Sequence, residues 1–192
     1  LEVSNIPPID LEKRLNYLLR YPYGCIEQTI SSSFPQLFVN QLIELDEAQR
    51  QKIPTNIKAA ISRIRQFQTG EGGFAYWPGS DQVNAWGTNY AGHFLLEAQK
   101  LGYAVSPVLL NRWKSYQKNA AKLWRQPAAT DQNLDDLTQA YRLYTLALAQ
   151  APELPAMNRM REMNGLSLQA RWRLAAAYAV SGRPEVAQEL VR

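Results

Sequence analysis

Residues 69–103 read TGEGGFAYWPGSDQVNAWGTNYAGHFLLEAQKLGY. The stretch changes character once. Thr69–Ser80 is rich in Gly and aromatics and carries a Pro, which predicts a structured loop with a short strand pair around Phe74–Trp77. From about Ala85 to Leu101 the spacing turns helical, and Gly102 suits the C′ position. Working outward, the same helical period recurs on both sides. Upstream, Thr55 is expected to cap a helix carrying Ile57, Ile61, Ile64 and Phe67, after a short turn from Asp46 that ends before Pro54. A stretch starting near Cys25 is expected to break around Ser31–Pro35 and resume to Leu45. Asp10 can cap a helix over 10–20, lined by Leu11, Leu15, Leu18 and Leu19. Downstream, Ser106-Pro107 opens a helix to about Arg125. Pro127–Gln132 reads as loop and Leu134–Gln150 as helix. Pro155 opens a short helix to Met163, Ser167 caps Leu168–Ser181, Gly182 ends it, and Pro184 starts a last piece. Eight or nine helical pieces joined by short loops, with no convincing strand set, predict an all-α fold of antiparallel hairpins.

The chain has 192 residues, enough for one domain or part of a larger one. No inner linker marks a boundary, so residues 1–192 are expected to form a single domain. With one Cys and one His, an internal disulfide framework and a Cys/His zinc site are excluded, and a Ser-His-Asp triad would have to use His93. The sequence implies no cofactor. A net charge of +4 is spread along the chain without a basic arm, which argues against a nucleic-acid partner. No stretch has the length of a transmembrane helix. The N-terminal LEVSNIPPID lacks the order of a signal peptide, so a mature protein or an internal segment is expected. Residues 170–191 look like one tetratricopeptide hairpin, but no second copy stands at the required period.

The chemistry concentrates in Tyr21–Thr29, YPYGCIEQT. Cys25 follows a Pro-Tyr-Gly turn where a helix begins, and the helix dipole and unpaired N–H groups there attract negative charge. Gln28 lies one turn on, within reach of the sulfur. Attack of the Cys25 thiolate on the Gln28 carboxamide, with loss of ammonia, would give an internal thioester. Glu27 stands beside the pair as a possible proton shuttle. A small buried cysteine is the alternative reading.

The string PYGC-x-EQ resembles the thioester signature of the α2-macroglobulin and complement family. Gly24, Cys25, Glu27 and Gln28 match, with Pro22 and Tyr23 upstream. Ile26 replaces the middle Gly common in animal members, as larger residues do in bacterial ones. Pro7-Pro8, the Gly-Gly-Phe loop with Trp77, and the Trp86-x-Thr88-x-Tyr90 helix extend the resemblance to about residue 105. It implies an α/α toroid like that of the terpenoid cyclases. A toroid of that kind has about a dozen helices, more than are counted here, so the chain is expected to be incomplete, the N-terminal two-thirds of the full domain.

The resemblance also implies a function. Family members trap proteases of broad range: cleavage elsewhere exposes the thioester, a Lys amine of the protease attacks the Gln28 acyl carbon, and Cys25 leaves. The acyl group is consumed, so the protein would be a stoichiometric endopeptidase inhibitor and not an enzyme. Tyr21, Tyr23, Trp77, Trp86 and Tyr90 would shield the bond from water, or serve simply as helix–helix core. Some complement proteins direct transfer to hydroxyls with a His in the region matching about 125–140. None stands there, which implies a preference for amines. His93 is expected to be a helix-face or core histidine. Implied partners are proteases and further domains of a large exported bacterial chain, periplasmic by family and open to a lipoprotein-type membrane anchor.

Two other classes compete. A cysteine hydrolase would pair Cys25 with His93. A helical-repeat scaffold would bind partners without covalent chemistry. Terpenoid-cyclase chemistry would need more than the lone pair Asp135-Asp136.

Overall fold

The computed structural model describes residues 18–125 and 132–192. Among them the regular structure is helical: α1 Ile26–Ser33, α2 Glu47–Ile64, α3 Ala85–Lys100, α4 Pro107–Leu123, α5 Gln132–Leu148, α6 Leu154–Arg161, α7 Leu168–Val180 and α8 Pro184–Val191. Single 3₁₀ turns cover Pro35–Leu37, Val39–Gln41 and Arg65–Phe67. Most of the expected helix over 10–20 and most of the expected loop over 127–132 lie outside the described residues.

The odd-numbered helices α1, α3, α5 and α7 pack in series, each on the next, while α2, α4 and α6 lie between them along the chain and α8 follows α7. This alternation of an inner and an outer row is that of an α/α toroid. One apolar cluster runs from Leu19 through Ile57, Phe67, Phe74 and Phe94 to Trp113. A second runs from Ala121 through Leu143, Met157 and Leu174 to Ala187. A buried polar chain joins α3, α4 and α5. Gln117 Nε2 donates to Asn89 Oδ1 at 2.6 Å, Asn89 Nδ2 donates to the Thr138 carbonyl at 2.8 Å, and Arg142 Nε donates to Gln117 Oε1 at 3.2 Å. Arg142 also bonds Gln139 Oε1, and burial lowers its pKa.

Most predicted caps stand. Ser106 and Ser167 accept from the third backbone N–H of α4 and α7, and Gly102 and Gly182 take positive φ after α3 and α7. Three expectations are corrected. Helix α2 does not start at Thr55: it begins at Glu47 with a capping box between Asp46 and Gln49, and runs through Pro54. A proline deletes one helical bond, but the flanking turns hold, and Thr55 Oγ1 donates back to the Gln51 carbonyl at 3.2 Å. After Ser33 the chain resumes only as 3₁₀ turns. The strand pair around Phe74–Trp77 reduces to two isolated bridges, Gln68 with Phe74 and Ala75 with Val83.

The 69–84 loop is nonetheless fixed. Thr88 Oγ1 accepts from the Phe74 N–H at 2.9 Å and lies 2.7 Å from the Asn84 carbonyl, tying the loop to the first turn of α3. Trp113 Nε1 donates to the Thr88 carbonyl from α4 at 2.9 Å.

Candidate functional site

Cys25 is the N-cap of α1, in extended conformation, and only 3% exposed. Gln28 occupies the third position of the helix, and its side chain folds back over the start. Its Oε1 accepts the Cys25 N–H at 3.1 Å. The two form a capping box with a cysteine in the place usually held by Ser or Thr. The bond satisfies an orphan helix donor and polarises the Gln28 carbonyl toward an approaching nucleophile. Gln28 itself is exposed, and Glu27 is half-buried in the acid-favouring first turn.

Gly24 makes this geometry possible. Its φ is +82°, and a Cβ there would stand 2.0 Å from Gln28 Oε1 and 2.9 Å from Cδ. No other residue leaves the carboxamide its place. At Gly87 a Cβ would meet Ile26 Cγ2 at 2.7 Å, so α3 closes directly on the start of α1.

Two residues that the sequence reading did not single out complete the site. Arg63, in the last turn of α2, donates from one terminal nitrogen to the Gly24 carbonyl at 2.7 Å and from Nε to Thr29 Oγ1 at 3.2 Å. Thr29 Oγ1 in turn donates to the Tyr23 carbonyl at 3.4 Å. Tyr76, in the Gly-aromatic loop, accepts the Ile26 N–H on its carbonyl at 3.1 Å. The pKa of its phenol is raised, by hydrogen bonding with the Cys25 side chain first and by the charges of Cys25 and Glu27 after it. The signal for Arg63 was a cation between Ile61 and Ile64 on a helix that packs its stripe inward. For Tyr76 it was a hydroxyl beside Trp77 in the loop.

Upstream, the buried Gln36 donates from Nε2 to the Leu18 and Arg20 carbonyls at 3.0 and 2.8 Å, holding the approach to Tyr21. Tyr21 and Tyr23 pack together with ring centroids 4.6 Å apart, and both are exposed. Trp77 stands edge-on to Tyr76 at 5.8 Å and is also exposed. Trp86 packs on Tyr141 of α5 at 5.3 Å. Tyr90 stacks on Phe34 at 5.7 Å, with Ser31 Oγ 3.5 Å from its hydroxyl. Of the five aromatics, then, Tyr21, Tyr23 and Trp77 flank the Cys25 turn, while the ring contacts of Trp86 and Tyr90 lie with α5 and the far end of α1.

His93 is remote from Cys25. Its ring meets Phe34, at the other end of α1, at 5.0 Å, and Nδ1 lies 2.9 Å from the Tyr141 hydroxyl. Eight helical residues, roughly 12 Å, separate the two ends of α1. Burial first, and Arg173 second, push the imidazole down to about 4. His93 is a packed histidine between α3 and α5, not a base for Cys25. Asp135 and Asp136 are structural too. Asp135 accepts from Trp124 Nε1 at 2.7 Å, and Asp136 accepts from the Ser167 N–H and hydroxyl at 2.7 and 3.1 Å, ahead of α7.

Comparison with known proteins bears on the family of the chain. Residues 4–116 match the family described as the A-macroglobulin TED domain. The alpha-2-macroglobulin of Escherichia coli K12 is 35% identical over 116 residues, covering 58% of this chain and 7% of the relative. The crystal structure of Salmonella alpha-2-macroglobulin reacted with methylamine superposes with a TM-score of 0.81 at 31% identity, over 97% of this chain and 13% of that one. Native E. coli alpha-2-macroglobulin, crystallised from domain MG7 to the C-terminus, gives 0.76 at 28% identity, over 98% of this chain and 31% of that one. This chain thus spans a small part of the length of the proteins it resembles. Its matching residues include the whole Cys25–Gln28 turn and the loop that closes on it, and the chain belongs to the A-macroglobulin TED family.

Proposed function

We propose that Cys25 and Gln28 form an internal thioester and that the chain is the thioester-bearing part of a bacterial protease trap. The observation that carries this reading is the Gln28 carboxamide, folded onto the Cys25 N–H at 3.1 Å beside a buried cysteine. In formation the Cys25 thiolate adds to Gln28 Cδ, Sγ–Cδ forms, and the Cδ–N bond breaks as ammonia leaves. In capture a protease Lys amine adds to the same carbon, Cδ–N re-forms, and the Sγ–Cδ bond breaks with its electron pair on sulfur. Glu27, adjacent to Gln28 in the chain, would pass protons between the amine and solvent. The Cys25 N–H stabilises the oxyanion in both directions.

The exposure of Gln28, Tyr21, Tyr23 and Trp77 fits a face that is covered in a larger assembly. The chain is then the N-terminal two-thirds of its domain, within an exported protein that carries the bait and the covering domains. The reaction of the Salmonella relative with methylamine supports amine acceptance.

Mass spectrometry of the full-length protein tests the reading. The expected mass is one ammonia below that encoded, with no titratable Cys25 thiol until methylamine releases one. Cys25→Ala and Gln28→Ala should keep the fold and lose all covalent protease capture. Undiminished capture by either variant would overturn the proposal.

A further inference from the structure

The end of α3 remote from Cys25 opens on a cavity of about 530 Å³, between the last turns of α3 and α5 and the first half of α4. Gly87, where α3 closes on α1, and Leu96, at the cavity, are nine helical residues or roughly 14 Å apart. The volume suits a small-molecule site. Leu96, Leu110 and Leu148 give it an apolar lining. Lys114 reaches it from α4. Its side chain is half-buried, and among the described residues no carboxylate lies within ion-pairing distance of its ammonium. The other lysine at the cavity, Lys100, is already 3.9 Å from Glu97. Lys114 is therefore the charge left to attract an anion.

A second observation points to the same cavity. Gln150, exposed and in its lining, has a φ of +54°, and among the described residues it is the only non-glycine with positive φ. It ends α5 as Gly102 ends α3 and Gly182 ends α7. The Gln150 N–H donates to the Ala147 carbonyl at 3.0 Å and the Ala151 N–H to the Leu146 carbonyl at 2.9 Å, the pattern that Gly182 and Arg183 repeat after α7. Glycine takes this conformation without a Cβ penalty, and glutamine does not. A strained residue at a cavity is an indication of use, and what glutamine adds here is a carboxamide. That group offers a donor and an acceptor together, which is what a peptide group needs.

We propose that the cavity binds a short peptide or N-acylated amino acid with a free carboxylate and an apolar side chain. Lys114 takes the carboxylate, the Gln150 carboxamide takes a peptide group, and Leu96, Leu110 and Leu148 take the side chain. The site does not involve Cys25, so it stands whether or not the thioester forms.

Equilibrium dialysis and calorimetry on the full-length protein test it, with N-acetyl-leucyl-leucine as the probe and its C-terminal amide as the control. The expected result is saturable binding of one acid per chain with a Kd below about 1 mM, and binding of the amide about tenfold weaker. Lys114→Met should remove that difference and leave the urea midpoint unchanged. Gln150→Gly should bind the acid about threefold to tenfold more weakly. It should nonetheless be as stable as wild type or more so, because glycine relieves the positive φ. Cys25→Ala should bind the acid as wild type does. Uptake that is absent or does not saturate overturns the proposal, as does equal affinity for acid and amide. Discrimination that survives Lys114→Met, wild-type affinity in Gln150→Gly, or binding lost in Cys25→Ala each overturns it too.

Discussion

The Arg63 guanidinium donates to the Gly24 carbonyl at 2.7 Å and, through Nε, to Thr29 Oγ1 at 3.2 Å, so one side chain of α2 grips the turn on both sides of Cys25. The grip needs a fork. A lysine offers one point donor and cannot span the two acceptors with the same geometry. Arg63→Lys should cost about 1 kcal/mol and Arg63→Met about 2 kcal/mol of stability, since two bonds to a charged donor are lost. Both should lower the fraction of protein carrying the ammonia deficit, Met more than Lys. Urea unfolding and intact-mass measurement check the two effects separately. A wild-type thioester fraction in Arg63→Met would remove Arg63 from the site.

Gly24→Ala should act more narrowly. The added Cβ would lie 2.0 Å from Gln28 Oε1, and the residue would be held at φ +82°. The strain costs roughly 1–3 kcal/mol. The cheapest relief is for Gln28 to swing outward, because it is already exposed. The chain should therefore keep its helical circular dichroism while losing thioester formation and methylamine-released thiol. The opposite pattern, loss of fold with the bond retained in the folded fraction, would contradict the placement of Gln28.

The division between what could be read in the sequence and what could not follows the range of the interactions. The Cys25–Gln28 pair is one turn long, so spacing and motif suffice. The caps Ser106, Ser167, Gly102 and Gly182 are local in the same way. Helix α2 was misread because Pro54 looks like a stop in one dimension, whereas the Asp46–Gln49 box and the buried stripe Ile53, Ile57, Ala60, Ile61 carry the helix through it. Arg63 and Tyr76 arrive at Cys25 from a helix and a loop remote along the chain. Nothing within ten residues of Cys25 names them, and only the packing of α1 against α2 and the 69–84 loop brings them in. His93 was legible as a helix-face or core histidine, but its partner Tyr141 was not.

Gly92 tests the packing of α3 against α4. Alanine is the better helix former by about 1 kcal/mol. Here its Cβ would stand 2.1 Å from the Trp113 ring, which is fully buried and bonded through Nε1 to the Thr88 carbonyl. The indole cannot retreat without breaking that bond and disturbing the residue that ties down the Phe74 loop. Overpacking of this kind costs about 3 kcal/mol, so it should outweigh the propensity gain. Gly92→Ala should be destabilised by about 2 kcal/mol net in urea. Equal or greater stability than wild type would show that α3 and α4 are less tightly apposed.

His93 sets a dependence of stability on acidity. In the unfolded chain the imidazole titrates near 6.5, while in the fold burial and Arg173 hold it at about 4. Between those values the unfolded chain binds more protons, so acid favours unfolding. The contribution is present in full above about pH 6.5 and is lost as the pH falls toward 4, where the difference amounts to roughly 3 kcal/mol. His93→Phe keeps an aromatic ring among Phe34, Tyr141 and Tyr144 and cannot titrate. It also leaves the buried Tyr141 hydroxyl without its partner, at a cost of about 1–3 kcal/mol at every pH. The variant should therefore be the less stable protein at pH 7, and the gap should narrow or reverse by pH 4. Urea midpoints across that range read both terms. Parallel curves for the two proteins would mean that His93 charges as readily in the fold as outside it.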